Sequence, residues 1–407
     1  MSCRFCGSAE SRPFVDLGMS PLCESFLAPD ALDRMEPFYP LSVFVCSRCF
    51  LVQLAEYVSP EEIFREYAYF SSYSDSWLAH AASYTRAMTE RFALDGRSFV
   101  VELASNDGYL LRNFVSRGIP CLGIEPAANV ANAAAAVGVP TLVEFFGRRC
   151  AAELAARGPS ADLIVGNNVL AQVPDLNDFV AGISLLLAPN GIVTLEFPHL
   201  LELIDRNQFD TIYHEHFSYF SLLATERILG AHGLEVFDVE TLSSHGGSLR
   251  VFARHAGAEP PVAGAAVEAL RKRECEAKLD SLAGYEGYAQ RVAETKRNLL
   301  AFLIEAKRAG RSVAGYGAPG KGNTLLNYCG IRSDFLDFTV DRNPYKHGRF
   351  LPGTHIPIFP VERIREARPD FILILPWNLR SEIAEQLSYA RGWGARLVVP
   401  IPKLEVF

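Results

Sequence analysis

Two C-x2-C pairs, Cys3-Arg4-Phe5-Cys6 and Cys46-Ser47-Arg48-Cys49, constrain this chain more than any other feature. Two tight turns that each offer a pair of thiolates can surround a Zn2+ ion tetrahedrally, provided the 39 residues between them return the chain to its start. A small sheet does this, and Phe14–Gly18 and Leu41–Val45 alternate in strand fashion. Two redox C-x-x-C motifs are the alternative, but no βαβ pattern precedes either pair. Four thiolates leave no open coordination position, so the metal is expected to be structural, with Cys3, Cys6, Cys46 and Cys49 as ligands. The other cysteines, Cys23, Cys121, Cys150, Cys275 and Cys329, lack partners at ligand spacing and read as buried free thiols.

Beyond the cysteines the pattern is α/β. The apolar run Ser98–Ala104 ends in the loop Ser105-Asn106-Asp107-Gly108, and Tyr109–Phe114 continues with helical periodicity. A second strand, Cys121–Ile124, ends at Glu125-Pro126, 23 residues after Glu102. In doubly wound sheets a carboxylate there accepts two ribose hydroxyls. Further strands are expected at Asp162–Gly166 and Ile192–Phe197. The loop lacks G-x-G-x-x-G spacing, and its acids Glu102 and Asp107 would repel a pyrophosphate. A cationic adenosyl sulfonium suits such company better. A generic α/β domain with an ordinary acid at a strand end remains the alternative.

A second unit of the same kind follows a helical stretch over 262–310, broken near Tyr285-Glu286-Gly287-Tyr288. Gly315-x-Gly317-x-x-Gly320 follows an apolar run, and Asp341 ends a strand 21 residues beyond the last glycine. Alone, that is a nicotinamide dinucleotide fingerprint, so an NAD-dependent oxidoreductase or epimerase is the competing reading. A P-loop fits less well, since Gly322 follows Lys321 where Ser or Thr belongs. The loop's N–H groups and Lys321 would suit any phosphate, including a nucleotide sugar's diphosphate.

Between these units lies Tyr213-His214-Glu215-His216-Phe217-Ser218-Tyr219-Phe220. His214 and His216 are two apart and point in opposite directions, which disfavours a metal site and leaves general-base chemistry. Glu215 or another acid could hold an imidazole tautomer, and a phenol could donate to an oxyanion. Tyr67–Ser74 and Ser244–Arg250 are a further hydroxyl-rich segment and a glycine turn, each also readable as plain structure.

Length and charge set the outer bounds. The 407 residues suffice for two to four domains, and a net charge of −8 provides no global basic field for nucleic acid or anionic lipid. No apolar run approaches the 18 residues of a membrane span, and no apolar leader is evident, so no membrane association and a cytoplasmic location are expected.

In this order the motifs resemble the sugar C-methyltransferases that act on nucleotide-linked 4-keto-deoxyhexoses in deoxysugar pathways. The carriers are the cysteine pairs, Tyr67–Ser74, Val101–Gly108, Tyr213–Phe220, His245–Arg250 and Gly315–Thr324. The resemblance implies an α/β protein with a small zinc-binding N-terminal domain over 1–75, a central Rossmann-like methyltransferase domain over 76–255, and a C-terminal Rossmann-like domain over 256–407 that binds the nucleotide sugar. It implies S-adenosylmethionine held by Glu102, Ala104, Asn106, Asp107, Gly108, Tyr109, Glu125, Pro126, Asn167 and Asn168. His216 is the implied base, with Glu215, Tyr213 and Tyr67 beside it. Substrate contacts fall on Tyr69, Phe197, His199, His245, Gly246, Arg250, Gly317, Lys321, Asn323 and Asp341. The substrate is expected to be dTDP-linked and the enzyme a monomer or homodimer. Where the family usually has His, this chain has Gln172. A glutamine donates a hydrogen bond but shuttles no proton near neutrality, so the change marks reliance on His216 alone, a different carbonyl substrate, or an idle binding protein.

Overall fold

The computed structural model describes residues 2–64, 70–258 and 264–407; Tyr67 and Tyr69 lie outside them. Contacts divide the chain into two compact units, each visited more than once. The first comprises Met1–Arg12, Val45–Leu200 and Phe217–Gly284, and the second Pro13–Phe44, Leu201–His216 and Tyr285–Phe407.

In the first unit seven strands form one sheet: β1 (Val100–Leu103), β2 (Cys121–Ile124), β3 (Thr141–Leu142), β4 (Ala161–Asn167), β5 (Leu187–Pro198), β6 (Leu234–Leu242) and β7 (Ser248–His255). Their order is β6-β7-β5-β4-β1-β2-β3. β7 runs antiparallel to both neighbours, while β1 to β5 are parallel. A dinucleotide fold instead ends 4-5-6 with a sixth strand beside the fifth. β1 and most of β4 are buried on both faces, which is why they read as unbroken apolar runs. Helix α1 (Asp75–Arg91) starts where the Ser74 hydroxyl accepts the Trp77 N–H. Asp175 and Ser221 cap α2 (Leu176–Leu186) and α3 (Leu222–Gly230) in the same way. The order reverses between β1 and β4, so their carboxyl ends form the crevice where such sheets take ligands.

Two expectations are corrected in this unit. The helix read from Tyr109 begins at Leu111, leaving Tyr109 in the loop beside Gly108 at φ +76°. Any side chain at Gly108 would also meet Val139, 2.9 Å from an added Cβ. Cys275, expected to be buried, is exposed on α4 (Ala265–Glu276).

The second unit contains β8 (Val313–Tyr316), β9 (Thr339–Val340), β10 (Ile358–Phe359), β11 (Phe371–Ile374), β12 (Arg396–Val399) and β13 (Glu405–Val406). Their order, β10-β9-β8-β11-β12-β13, is the 3-2-1-4-5-6 arrangement of dinucleotide folds, with the last strand reversed. Its switch point, between β8 and β11, faces the glycine loop. The break expected near Tyr285 exists: a 3-10 turn at Leu282–Tyr285 and Gly287 at φ +73° precede α5 (Tyr288–Arg308). Both runs expected as strands between the cysteine pairs fall within strands Ser11–Ser20 and Tyr39–Cys46, and the Ser42 hydroxyl donates to Asp16. Among the described residues no helix is long and apolar enough to cross a membrane.

A buried acid braces the first unit. Glu274 on α4 accepts the Leu222 and Leu223 N–H groups at the start of α3 (2.7 and 2.9 Å) and sits 2.7 Å from His199 Nε2. Removing it strands two helix-terminal donors and a buried imidazole. Glu274→Ala is expected to destabilise this unit by about 3 kcal/mol, read as an earlier urea transition; a shift within error would show that the brace contributes nothing.

Candidate active site

The four N-terminal thiols meet as their spacing requires. Their sulfurs lie within 4.8 Å of one another, Cys3 and Cys49 being 3.5 Å apart and Cys6 and Cys46 3.6 Å. Zn–S bonds of about 2.3 Å imply tetrahedral edges of about 3.8 Å, so the group fits zinc. The Cys49 thiol holds Cys3 down to about 5, which favours the thiolate that a metal needs. Arg4, inside the first knuckle, donates to the Pro174 and Leu54 carbonyls (2.7 and 2.5 Å). Asn177 donates to the Phe5 carbonyl and Arg227 to that of Cys49, both at 2.9 Å. The knuckles are thereby tied to the α2 and α3 side of the seven-stranded sheet. Zinc would be structural, with all four positions filled by protein.

At the carboxyl end of β1 the backbone turns sharply: Ala104, Asn106 and Gly108 take φ of 55, 49 and 76°. Left-handed non-glycine residues cost free energy and concentrate at functional sites. The turn presents the Asn106 N–H to Glu125 Oε2 (3.0 Å), and Glu125 Oε1 accepts the Ala127 N–H (2.9 Å), leaving a lone pair on each oxygen for a diol. Asn106 and Asp107 side chains accept the Ser71 and Ser72 N–H groups, each at 3.0 Å. Asp107 Oδ1 and Asn168 Oδ1 are buried without a hydrogen-bond partner, and Asn168 is itself left-handed at φ 56°. Burial pushes the Glu102 carboxyl well above the usual range; Asp107 and Glu125 add to this while Tyr109 opposes it. Burial likewise raises Glu125, against the pull of its backbone donors. Three carboxyl groups, a diol acceptor and orphaned acceptors suit S-adenosylmethionine, whose amino and sulfonium groups are cationic, and do not suit a pyrophosphate. Pro126, half-buried, follows Glu125, and Asn167 ends β4 opposite Glu196.

Sequence reasoning missed a charged network beside this loop. Burial alone would raise Glu196, but His80, Arg250 and Ser244 bring it to about 2. Arg250 donates to Glu196 Oε2 (2.6 Å) and Glu240 Oε2 (2.7 Å), and His80 Nε2 lies 3.0 Å from Glu196. Trp77 stacks on His80 and Tyr109 (4.9 and 5.9 Å) and meets His245 edge-on (5.3 Å), joining the donor loop to the turn that carries Gly246 at φ +94°. Trp77 and His80 sit one helical turn apart on α1, a spacing visible in the sequence. Of the side chains implied in substrate contact, Arg250 is engaged by acids, Phe197 packs on Phe220 in the core, and His199 is held by Glu274. Gln172, half-buried, ends the 3-10 turn Leu170–Gln172. The carbonyl before it, on Ala171, accepts the Phe217 N–H at 2.7 Å.

In the second unit the Tyr213 carbonyl accepts the His216 N–H (2.9 Å), closing a turn with His214 and Glu215 at its centre. The two imidazoles accordingly have separate partners. His214 Nε2 lies 3.2 Å from the Pro40 carbonyl, and burial lowers its pKa, favouring the neutral ring. His216 Nδ1 lies 3.1 Å from the Thr211 carbonyl and its ring packs on Tyr213 at 4.2 Å. A carbonyl only accepts, so Nδ1 carries the hydrogen and the neutral ring keeps its lone pair on Nε2. A backbone carbonyl, rather than the expected acid, occupies His216 Nδ1. Glu215 Oε1 faces the Cys23 thiol at 3.6 Å.

On the glycine loop, acids of the chain itself stand beside the backbone N–H groups. Asp341 Oδ2 accepts the Ala318 N–H (2.7 Å), and the Glu24 carboxyl lies against Gly320 at the start of α6 (Gly320–Cys329), its Oε1 3.3 Å from where a Cβ would stand. Lys346 spans Glu24 (3.7 Å) and the Ala318 carbonyl (2.8 Å). One of the N–H groups expected to receive phosphate, that of Ala318, already holds an acid of the chain. Gly317, at φ +90°, packs so tightly on Pro376 that an added Cβ would stand 2.5 Å away. Lys321 reaches Asn378 Oδ1 (2.9 Å) and lies over the Trp377 ring. Asn323 is buried on α6 with neither amide atom hydrogen-bonded.

The reversed strand of the first sheet, its acidic turn and its diol acceptor define an S-adenosylmethionine-dependent methyltransferase. Three family models match the chain: "Putative zinc binding domain" at residues 3–64, "Methyltransferase domain" at 77–239 and "C-methyltransferase C-terminal domain" at 243–402. The C-methyltransferase NovU of Streptomyces niveus is 36% identical over 404 residues, covering 99% of this chain and 96% of that protein. Among solved structures, a Pyrococcus horikoshii OT3 protein aligns at TM-score 0.39 and 14% identity, over 48% of this chain and 100% of that one. The Synechocystis magnesium protoporphyrin IX methyltransferase with bound SAH aligns at TM-score 0.36 and 14% identity, over 44% and 83%. The chain belongs to the C-methyltransferase family.

Two outcomes follow from this geometry. Elemental analysis should find about one zinc per chain, falling severalfold in Cys46→Ser; metal-free wild-type protein with unchanged melting would remove the structural role. Glu125→Ala should weaken S-adenosylmethionine binding at least about tenfold by calorimetry, with Glu125→Gln intermediate. Equal affinities would place the ribose elsewhere.

Proposed function

We propose that this C-methyltransferase methylates the carbon alpha to the ketone, C3, of a nucleotide-linked 4-keto-deoxyhexose, with His216 as the base. The observation that carries this reading is the Thr211 carbonyl on His216 Nδ1, which leaves Nε2 as the basic nitrogen. S-adenosylmethionine supplies an electrophilic methyl group on a sulfonium. A C4 ketone acidifies the neighbouring C–H; Nε2 removes that proton and becomes imidazolium, and the electron pair passes to the carbonyl oxygen as enolate. The enolate carbon then forms the new C–C bond as the methyl–sulfur bond breaks, leaving S-adenosylhomocysteine. Tyr213, packed on the imidazole, and Glu215 complete the base's surroundings, and Tyr67 is assigned beside the sugar. Gln172 serves as a hydrogen-bond donor, so proton transfer rests on His216 alone.

For the substrate, Tyr69, His245, Gly246, Lys321 and Asn323 are assigned to contacts, and the unsatisfied Asn323 amide supports a polar ligand there. Arg250, His199, Phe197, Gly317 and Asp341 are likewise assigned to the substrate. A dTDP-linked sugar, a monomer or homodimer, a cytoplasmic location, and a division into 1–75, 76–255 and 256–407 complete the proposal. The NAD-dependent alternative is opposed by Glu24 and Asp341 on the glycine loop.

In deuterated buffer with a nucleotide-linked 4-ketosugar, His216→Asn should slow exchange of the alpha proton by about 100-fold or more while S-adenosylmethionine still binds. Unaltered exchange would remove His216 as the base.

A further inference from the structure

A buried acid stands behind the proposed base. Asp210 lies fully buried in the 3-10 turn Phe209–Thr211, and nothing in the sequence singled it out. The Trp377 indole N–H, just past the carboxyl end of β11, donates to Asp210 Oδ2 at 2.6 Å. The turn's own N–H groups, at Asp210 and Thr211, also favour the carboxylate. Thr211 N–H donates to the Gln208 carbonyl (3.1 Å) and Ile212 N–H to that of Phe209 (3.0 Å). The next two carbonyls point away to fixed partners: Thr211's to His216 Nδ1 (3.1 Å), and Ile212's to the Thr324 hydroxyl on α6 (3.0 Å).

This continuous series runs from Trp377 through Asp210 and the Thr211 carbonyl to the imidazole. We infer that Asp210 is a positioning residue: clamped by Trp377, it orients the Thr211 carbonyl that selects the His216 tautomer with Nε2 unprotonated. The inference rests on the reading of His216 as base, and the physical need is plain. An imidazole that donates from Nδ1 to a backbone carbonyl takes its tautomer from the direction of that carbonyl, and a one-turn 3-10 segment has little rigidity of its own. A side-chain anchor to the 3-10 turn that follows β11 supplies it. Burial raises the Asp210 carboxyl, and the charge of Lys321 on the neighbouring helix, with the Trp377 indole and the turn's N–H groups, holds it to about 6.

The test uses the full-length protein with 15N-labelled histidine. In the wild type the His216 ring nitrogens should report the Nδ1–H tautomer; Asp210→Ala and Trp377→Phe should both lose that preference, and Asp210→Asn, which still accepts from the indole, should partly restore it. Proton exchange should fall about 10- to 100-fold in Asp210→Ala, with substrate KM changed by less than about twofold. If Asp210→Ala does not fold, Trp377→Phe carries the same test. An unmoved tautomer signal in either folded variant overturns the inference, even if activity falls. Full exchange in His216→Asn overturns instead the reading of the base; because the tautomer is read in the resting protein, the two failures are distinguishable.

Discussion

Four sulfurs within 4.8 Å of one another hold residue 3 against residue 49, and much of the remaining architecture depends on that closure. With its ends pinned, residues 13–44 leave and return as a hairpin-like excursion, which is how the first tenth of the chain contributes to both compact units. The knuckles are not free-standing. Arg4, Asn177 and Arg227 bind their backbone to the helices of the methyltransferase sheet, so metal affinity is also affinity between the N-terminus and that sheet. A segment this small has little apolar surface with which to hold itself together, and four metal bonds would supply what the core does not.

Buried carboxyl groups have opposite uses in the two α/β sheets. In the first, Glu102, Asp107 and Glu125 gather near where the strand order reverses, and Glu125 accepts the backbone N–H groups of Asn106 and Ala127. In the second, Glu24 lies against the loop and Asp341 accepts the Ala318 N–H from within. The fold is of one kind, but the charge at the carboxyl ends differs in function. Glu196 and Glu274 show a third use, as buried acids whose hydrogen bonds brace strands and helices together.

What was legible beforehand follows the range of the interactions. The cysteine knuckles, the strand-loop-helix at Val100–Leu111, the break before Tyr288 and the acid at the end of β2 are local patterns, and the sequence displays them directly. Glu215 was the natural candidate for holding the His216 tautomer because it is adjacent. The Thr211 carbonyl does so instead, since the turn at Tyr213–His216 carries the ring back over the preceding residues. Arg250 reads as a ligand contact until Glu196 and Glu240, from other strands, are seen to occupy it. Asp210 and Trp377 lie 167 residues apart, a pairing no local pattern reveals.

The occupied glycine loop carries a wider consequence. Its spacing and strand order match a dinucleotide fingerprint, yet an aspartate and a glutamate of the same chain stand at it. Such a cradle can be narrowed without altering a single glycine, by carboxyl groups lent from elsewhere in the sequence. Whether such a motif is open for business is written on whatever segment faces it, which can lie hundreds of positions away in the chain.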